Sequence, residues 1–103
     1  MTEFKCISVK EAKDLMQNET VKWVDIRDTD SFKTEHIEGA FNLSNENINQ
    51  FISDVDFKTP LLVICYSGFG SKGVAQYLAD QGFIAPYSIT GGFSAWQAAK
   101  LNE

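Results

Sequence analysis

The sequence predicts an α/β fold, a three-layer sandwich in which helices flank a mainly parallel sheet of four to five short strands. Short apolar segments alternate with segments of helical periodicity, as is typical of parallel sheets. The apolar run of residues 61–64 is bounded by turn-forming residues, the pattern of a strand covered on both faces. A chain of 103 residues suits one core, so we expect a single domain spanning residues 1–103.

The composition is that of a folded protein without a membrane or nucleic-acid partner. No run approaches the roughly 18 apolar residues that span a bilayer, and the first residues do not resemble a signal peptide. We therefore expect a cytoplasmic location. The net charge of −5 disfavours nucleic acid and anionic membranes, which attract clustered Lys and Arg. A small anionic substrate stays open, because a loop of N–H groups and a nearby lysine act locally.

The first elements are a short strand and a capped helix. Residues 5–7 predict the strand, and Ser8 opens a capping-box sequence that starts a helix to about Asn18. We expect Cys6 to be a small core residue, because free cysteine is commonly buried. Cys6 and Cys65 are too few for a disulfide framework, and neither belongs to a Cys-x-x-Cys pair. No metal site is therefore predicted.

The second predicted strand, residues 21–26, ends in a charged cluster formed by Asp25, Arg27, Asp28 and Asp30. Arg27 is the only arginine, and its planar guanidinium can hold several acceptors at once. We therefore expect Asp25 and Arg27 to support the loop through an ion-pair and hydrogen-bond network. Substrate binding is the alternative for a charge cluster at this end of a strand.

The middle of the chain predicts a short helix over residues 29–35 with Phe32 inward, an extended segment over 40–43 and a helix over 45–53. His36 is the only histidine and precedes a glycine turn. We expect it to be a structural hydrogen-bonding residue. Without further partners it gives little support to a metal site or to a Cys–His–Asn protease arrangement.

The central strand leads into the segment that carries the chemistry. Cys65 lies at the carboxyl end of this strand, where open α/β sheets place their ligands. The glycine-rich loop that follows can turn its N–H groups inward around an anion, and the next helix, beginning at Ser71 or Lys72, adds its positive dipole end. Both features favour a thiolate, the nucleophilic form of cysteine. We therefore prefer a reactive Cys65 to a merely buried one.

The last third of the chain completes the alternation. The helix after the loop should run to about Gln81 and end at Gly82, a residue suited to the left-handed position beyond a helix. Its inward positions are expected to be Val74, Ala75, Tyr77 and Leu78. A last strand over 87–90 and the Gly91-Gly92 turn should lead into a final helix. That helix is expected to bury Phe93, Trp96 and Leu101.

A dinucleotide-binding loop is one alternative for the central segment. Gly68, Gly70 and Gly73 have the G-x-G-x-x-G spacing, between a strand and a helix. That fold needs more chain, and it requires an acidic residue about 20 positions on, where this chain has Thr90. The spacing is therefore treated as coincidental.

A cysteine phosphatase is the second alternative. It requires an arginine six positions after the cysteine, which clamps phosphate through two hydrogen bonds. Here that position is Ser71, and Lys72, one step later, cannot make the planar bidentate contact. Phosphoryl chemistry would lack its main electrostatic support.

Four segments in order resemble the rhodanese (thiosulfate sulfurtransferase) domain, specifically its small single-domain bacterial GlpE type. They are residues 24–28, 35–42, 65–73 and 91–96. The resemblance implies the rhodanese-like sandwich and a six-residue loop, Cys65 to Gly70, whose amides surround the transferred sulfur. The implied substrate-binding loop comprises Tyr66, Ser67, Gly68, Phe69, Gly70, Ser71 and Lys72.

The implied reaction is a double displacement without metal or cofactor. Cys65 would take the outer sulfur of thiosulfate, or of another sulfane-sulfur donor, as a persulfide and pass it to a thiophilic acceptor. Cyanide is the usual assay acceptor, and thioredoxin or another dithiol is the cellular one expected. Lys72 would aid anion binding. Phe69 and Gly70 replace more polar residues of the subgroup and are the positions where substrate preference should differ. The rival interpretation is a non-catalytic rhodanese-like binding or sulfur-carrier module.

Overall fold

The computed structural model describes residues 3–101, with side chains through residue 100. The strands are β1 (Lys5–Ile7), β2 (Lys22–Asp25), β3 (Phe41–Asn42), β4 (Leu61–Ile64) and β5 (Pro86–Ile89). The helices are α1 (Val9–Asn18), α2 (Thr29–Thr34), α3 (Ile48–Asp54), α4 (Gly70–Gln81) and α5 (Gly92–Leu101). All strand pairs are parallel, in the order β1-β5-β4-β2-β3, which confirms the predicted α/β sandwich.

The central strand β4 divides the core into two layers. Successive side chains of a strand point to opposite faces, so Leu62 and Ile64 pack against α1 and α5, while Leu61 and Val63 pack against α3 and α4. Every residue of β4 is buried, as its continuous apolar sequence predicts. The residue that follows β4 is therefore held at the carboxyl edge of the sheet, between two covered faces.

The helix ends follow the local signals. The Ser8 hydroxyl accepts from the Glu11 N–H at 3.1 Å, and the Glu11 carboxylate accepts from the Ser8 N–H at 3.0 Å, which confirms the capping box. Hydrogen bonds from the backbone and, to a smaller extent, the side chain of Ser8 lower the pKa of the Glu11 carboxyl. Gly82 follows α4 with a φ of 125°, which confirms that a glycine in the positive-φ region ends this helix.

Several predictions of detail were wrong. Cys6 is exposed, because β1 is an edge strand that pairs only with β5 and its middle residue lies at the open margin of the sheet. Tyr77 is 43% exposed, because the buried side of α4 is formed by Ala75 and Leu78 and position 77 lies at its margin. The helix expected from residue 45 begins only at Ile48.

Other expectations were nearly correct or concern a side chain that the structure does not describe. Helix α4 begins at Gly70, one or two positions before the expected start at Ser71 or Lys72. Phe32 is half-buried, whereas Phe93 is buried. The expected burial of Leu101 concerns a side chain outside the described part of the chain. Within residues 3–101, no helix combines the length and the apolarity needed to cross a membrane.

Candidate active site

Cys65 lies directly after β4, and the following loop curls back over its sulfur. The Gly68 N–H donates to Cys65 Sγ at 3.1 Å, and the Ser71 N–H donates at 3.3 Å. The Ser71 hydroxyl lies 3.4 Å from the same sulfur. The cysteine is only 7% exposed. The backbone of the loop and the first turn of α4 thus form a cradle of donors around one sulfur atom.

This cradle changes the acidity of Cys65. Burial raises the pKa of its thiol, since it disfavours the charged form. The Ser71 hydroxyl and the N–H groups of Ser71, Gly68 and Ser67 act in the opposite direction and together outweigh burial. The net effect is a pKa below the ordinary value of a thiol, so the site favours the thiolate.

The glycine turn before α5 supports the loop from behind. The Phe93 N–H donates to the Cys65 carbonyl at 2.7 Å, and the Ser94 N–H donates to the Tyr66 carbonyl at 3.2 Å. A Cβ on Gly92 would overlap the carbonyl of Cys65, and a Cβ on Gly68 would lie 2.7 Å from the Gly91 nitrogen. The sequence predicts this turn but not its contact with the cysteine. The glycine pair was the available signal.

Asp25 and Arg27 form a buried ion pair beside the loop. Arg27 Nη2 lies 2.7 Å from Asp25 Oδ2 and also donates to the Glu35 carbonyl at 2.7 Å. Asn42 donates to the Arg27 carbonyl at 2.9 Å. The guanidinium carbon lies 3.7 Å from the centre of the Phe93 ring. The pair therefore joins the segment after β2 to the start of α5, the geometry of a supporting network.

The side chains of the loop differ in their surroundings. Tyr66 is 51% exposed, and its hydroxyl bonds to the Asp28 carboxylate and the Ser31 hydroxyl. The Tyr66 bond is the main reason why the pKa of Asp28 falls to about 2, with further hydrogen bonds from Ser31. Phe69 is 75% exposed, and Lys72 Nζ lies 5.2 Å from the centre of its ring. The loop thus presents two aromatic rings and one cation to solvent.

Gly70 leaves space beside the sulfur. A Cβ at this position would lie 4.0 Å from Cys65 Sγ and 3.7 Å from Ile26 Cδ1, both ordinary van der Waals distances. Ile26 in turn lines a cleft of about 380 Å³ that also includes Asn42, Val74 and Ile48 among its walls. Ser67 is exposed, whereas Ser71 is fully buried under the sulfur.

His36 takes no part in this cluster. Its Nδ1 lies 2.7 Å from the Phe32 carbonyl oxygen, and its ring stacks on the Phe32 ring with centres 3.9 Å apart. These contacts belong to α2 and the segment that follows. Among residues 3–101 there is also no group of three or more His, Cys, Asp or Glu side chains that could hold a metal ion.

The arrangement matches a known family. Residues 8–99 match the Rhodanese-like domain family. A curated relative, thiosulfate sulfurtransferase GlpE of Shewanella oneidensis, is 50% identical over 99 residues, covering 96% of this chain and 98% of the relative. The rhodanese-like domain protein of Staphylococcus aureus has a similar solved structure, with a TM-score of 0.78 at 24% identity, covering 90% of this chain and 91% of that one.

A second solved structure extends the likeness of the fold. The human single-domain sulfurtransferase TSTD1 has a TM-score of 0.77 at 16% identity, covering 90% of this chain and 95% of that one. At these identities the two structures bear on the fold alone, whereas the matched family and the Shewanella relative cover almost the whole sequence. The chain belongs to the rhodanese-like domain family.

Proposed function

We propose that the protein is a thiosulfate sulfurtransferase in which Cys65 is the nucleophile and carries the sulfur as a persulfide. The observation that carries this proposal is the cradle of N–H groups from Gly68 and Ser71, 3.1 and 3.3 Å from a cysteine sulfur with a lowered pKa. The Shewanella relative is a thiosulfate sulfurtransferase, which supports the choice of substrate.

The first half-reaction balances without a metal or cofactor. The Cys65 thiolate attacks the outer sulfur of thiosulfate, a new S–S bond forms, and the S–S bond of thiosulfate breaks. Sulfite leaves with the electron pair of that bond. No proton has to be removed once the thiol is ionised, so the reaction requires no histidine base. Donors fixed around the sulfur stabilise the anionic states without reorganisation.

The second half-reaction returns the enzyme to its thiolate. A thiolate of the acceptor attacks the outer persulfide sulfur, and Cys65 leaves with the electron pair. We propose a dithiol such as thioredoxin as the acceptor in the cell and cyanide as a convenient acceptor in an assay. A cytoplasmic location belongs to the same proposal, since reducing compartments keep cysteine as the thiol.

The loop residues divide between the two faces of the sulfur. Gly68 and Ser71 hold the sulfur from the protein side, and Ser67 adds its backbone N–H. Lys72 is exposed in the first turn of α4, where its charge can attract an anionic donor. We propose that Phe69, the most exposed aromatic residue of the loop, contacts the acceptor.

Supporting residues lie further from the sulfur. Asp25 and Arg27 hold the segment after β2, and His36 fixes the end of α2 through Phe32. We also propose that residues 1–103 act as one domain. A single cooperative unfolding transition, seen identically by fluorescence and circular dichroism, would support that proposal, and two separate transitions would contradict it.

The test is the mass of the protein after incubation with thiosulfate. We expect a gain of one sulfur atom, about 32 Da, that dithiothreitol removes. The adduct should vanish in Cys65→Ala and persist in Cys6→Ser, which removes the exposed cysteine. Absence of the adduct, or its persistence in Cys65→Ala, would contradict the enzyme proposal. Hydrolysis of an aryl phosphate that depends on Cys65 would favour the phosphatase alternative.

Turnover separates the enzyme from a passive module. With thiosulfate and cyanide, an enzyme forms thiocyanate continuously, because each transfer regenerates the thiolate. A sulfur carrier or binding module would yield at most one equivalent per protein. Multiple turnovers that disappear in Cys65→Ala are therefore the expected result.

A further inference from the structure

Two serine hydroxyls lie behind Cys65 in the core. Ser71, in the first turn of α4, and Ser88, on β5, have no exposed surface, and their Oγ atoms are 2.7 Å apart. Ser71 Oγ is also 3.4 Å from Cys65 Sγ. The three polar atoms form a row, Ser88 Oγ, Ser71 Oγ and Cys65 Sγ, inside the protein. Nothing in the proposed reaction so far uses Ser88.

The burial of Ser88 is unfavourable unless its hydroxyl is bonded. A hydroxyl moved from water into the protein interior costs about 1–3 kcal/mol without a hydrogen bond. Ser88 lies beside Val63 of β4 in the parallel register and is followed by buried Ile89, so an aliphatic residue would suit this strand. Within residues 3–101, the hydrogen-bond partner of the Ser88 side chain is Ser71. Any role of Ser88 therefore acts through Ser71.

The direction of the hydrogen bonds follows from the state of the sulfur. Ionised sulfur has lone pairs but no hydrogen, so in that state Ser71 must be the donor to Cys65. Ser71 Oγ is then free to accept from Ser88. Among the described residues, Ser71 Oγ is also the one acceptor to which the Ser88 hydroxyl can donate its hydrogen. The row is fully satisfied when both hydrogens point toward the thiolate.

Ser88 restricts the orientation of the Ser71 hydroxyl. A hydrogen bond accepted from Ser88 fixes the position of one lone pair on Ser71 Oγ and so restricts where its hydrogen can point. The Ser71 hydrogen can then point to Cys65 Sγ, which lies 3.4 Å from Ser71 Oγ.

We propose that Ser88 is a positioning residue for sulfur transfer, orienting the Ser71 hydroxyl so that it donates to the Cys65 anion. The inference rests on the proposed function in taking that anion to be the attacking species. Ser88 itself touches neither the substrate nor the reacting sulfur. Its effect is on the fraction of Cys65 that is ionised and ready to attack.

The charged groups around the loop are a separate influence on the same sulfur. After β2 they are Arg27, which is paired with Asp25, and Asp28, which is bonded to Tyr66. On α4 the nearby cation is Lys72, which is exposed. All of them are retained in variants of Ser88. A change in the titration of Cys65 in such variants therefore comes from the loss of the Ser88 hydroxyl and not from a changed charge.

The experiment measures the rate at which iodoacetamide alkylates Cys65 as a function of pH, in a Cys6→Ala background. Relative to that parent protein, we expect Ser88→Ala to shift the midpoint of the profile to higher pH. We expect it also to slow alkylation below the midpoint by roughly three- to tenfold, as loss of an oriented hydrogen bond implies. Tyr87→Phe removes a hydroxyl from the neighbouring position of β5 and should leave the profile unchanged.

A double variant tests whether Ser88 acts through Ser71. If it does, Ser88→Ala should add nothing in a protein that already carries Ser71→Ala, because the hydroxyl that it orients is gone. Overlap of the Ser88→Ala profile with that of the parent, or additive effects in the double variant, would overturn the proposal. Thermal unfolding of each variant shows whether a slower rate merely reflects loss of the fold.

The outcome is independent of whether thiosulfate is the substrate, since alkylation requires only the thiolate. A shifted alkylation profile in a protein that never gains sulfur from thiosulfate would refute the proposed function and leave the role of Ser88 in ionisation intact. Persulfide formation with an unshifted Ser88→Ala profile would refute the role of Ser88 alone.

Discussion

The two cysteines of this chain have the same side chain and opposite environments. Cys6 is exposed in β1, an edge strand with one neighbour, and lies beside Ser88 in the register of the sheet. Cys65 follows the central strand and is enclosed by the N–H groups of its own loop. Strand order, more than residue type, therefore decides which sulfur is surrounded by hydrogen-bond donors.

The strongest test of this contrast removes each sulfur in turn. Cys65→Ala should reduce thiocyanate formation at least about a thousandfold, because the nucleophile is lost. Cys6→Ala should retain the parental rate, since its side chain lies outside the loop. Steady-state assays with thiosulfate and cyanide check both. Comparable losses of thiocyanate formation in the two variants would contradict the distinction between Cys6 and Cys65.

A second test addresses the support of the loop. Gly92→Ala should lower the free energy of unfolding by about 3 kcal/mol, because Gly92 has a φ of 59° and its Cβ would overlap the Cys65 carbonyl. Gly73→Ala is the matched control, since a Cβ there meets nothing within 4 Å. It should stabilise α4 by about 0.5–1 kcal/mol. Urea unfolding measures both, and equal destabilisation would contradict the proposed tight contact.

A third test removes one donor from the cradle. Ser71→Ala should slow persulfide formation about tenfold at pH values below the pKa of Cys65, because a hydrogen bond to an anion is lost. The rate rises with pH as the thiol ionises, and the variant should show that rise at higher pH. Stopped-flow measurements across pH check the shift. A rate lowered equally at all pH values would indicate a packing defect instead.

The same lowered pKa makes a contribution to stability. Since folding lowers the pKa of Cys65, the stabilising effect of ionisation is fully present above the pKa of an unfolded cysteine. It is lost as the pH falls through the folded-state pKa. Comparing the unfolding free energies of the parent and Cys65→Ala across this range should show the difference growing with pH.

The smallest expected effect concerns Lys72. Lys72→Ala should raise the KM for thiosulfate about two- to fivefold at low salt and have little effect at high salt, because exposed charges are screened. Lys10→Ala, at an exposed position of α1, provides a control with the same change of charge. If the two variants change KM equally, or if the effect of Lys72→Ala does not depend on salt, the charge of Lys72 has no specific role in binding thiosulfate.

Features with local signals could be predicted from the sequence. The capping box at Ser8 depends on residues three apart, and the buried strand before Cys65 is a continuous apolar run. The cysteine and glycine pattern indicated a loop of inward N–H groups, and the structure places the Gly68 and Ser71 N–H groups at the sulfur. These arguments require no knowledge of how distant segments meet.

Features that depend on strand order could not be predicted in the same way. The exposure of Cys6 follows from the edge position of β1, and the row behind Cys65 follows from the position of β5 next to β4. The same holds for the Gly92 contact, which joins residues 27 positions apart (92 − 65). A sequence pattern shows that a glycine or a buried serine is present, whereas only the topology shows what it touches.

The hydrogen bonds from the start of α5 to the loop have a consequence for biosynthesis. The carbonyls of Cys65 and Tyr66 are bonded by Phe93 and Ser94, and β4 gains its second neighbour only with β5. The ribosome synthesises the loop after residue 65 before it synthesises residues 93 and 94. While the nascent chain lacks β5 and α5, the cysteine is already made but the carbonyls of its loop have no bonds from Phe93 and Ser94. The sulfur therefore acquires its final environment only after β5 and the start of α5 have been synthesised.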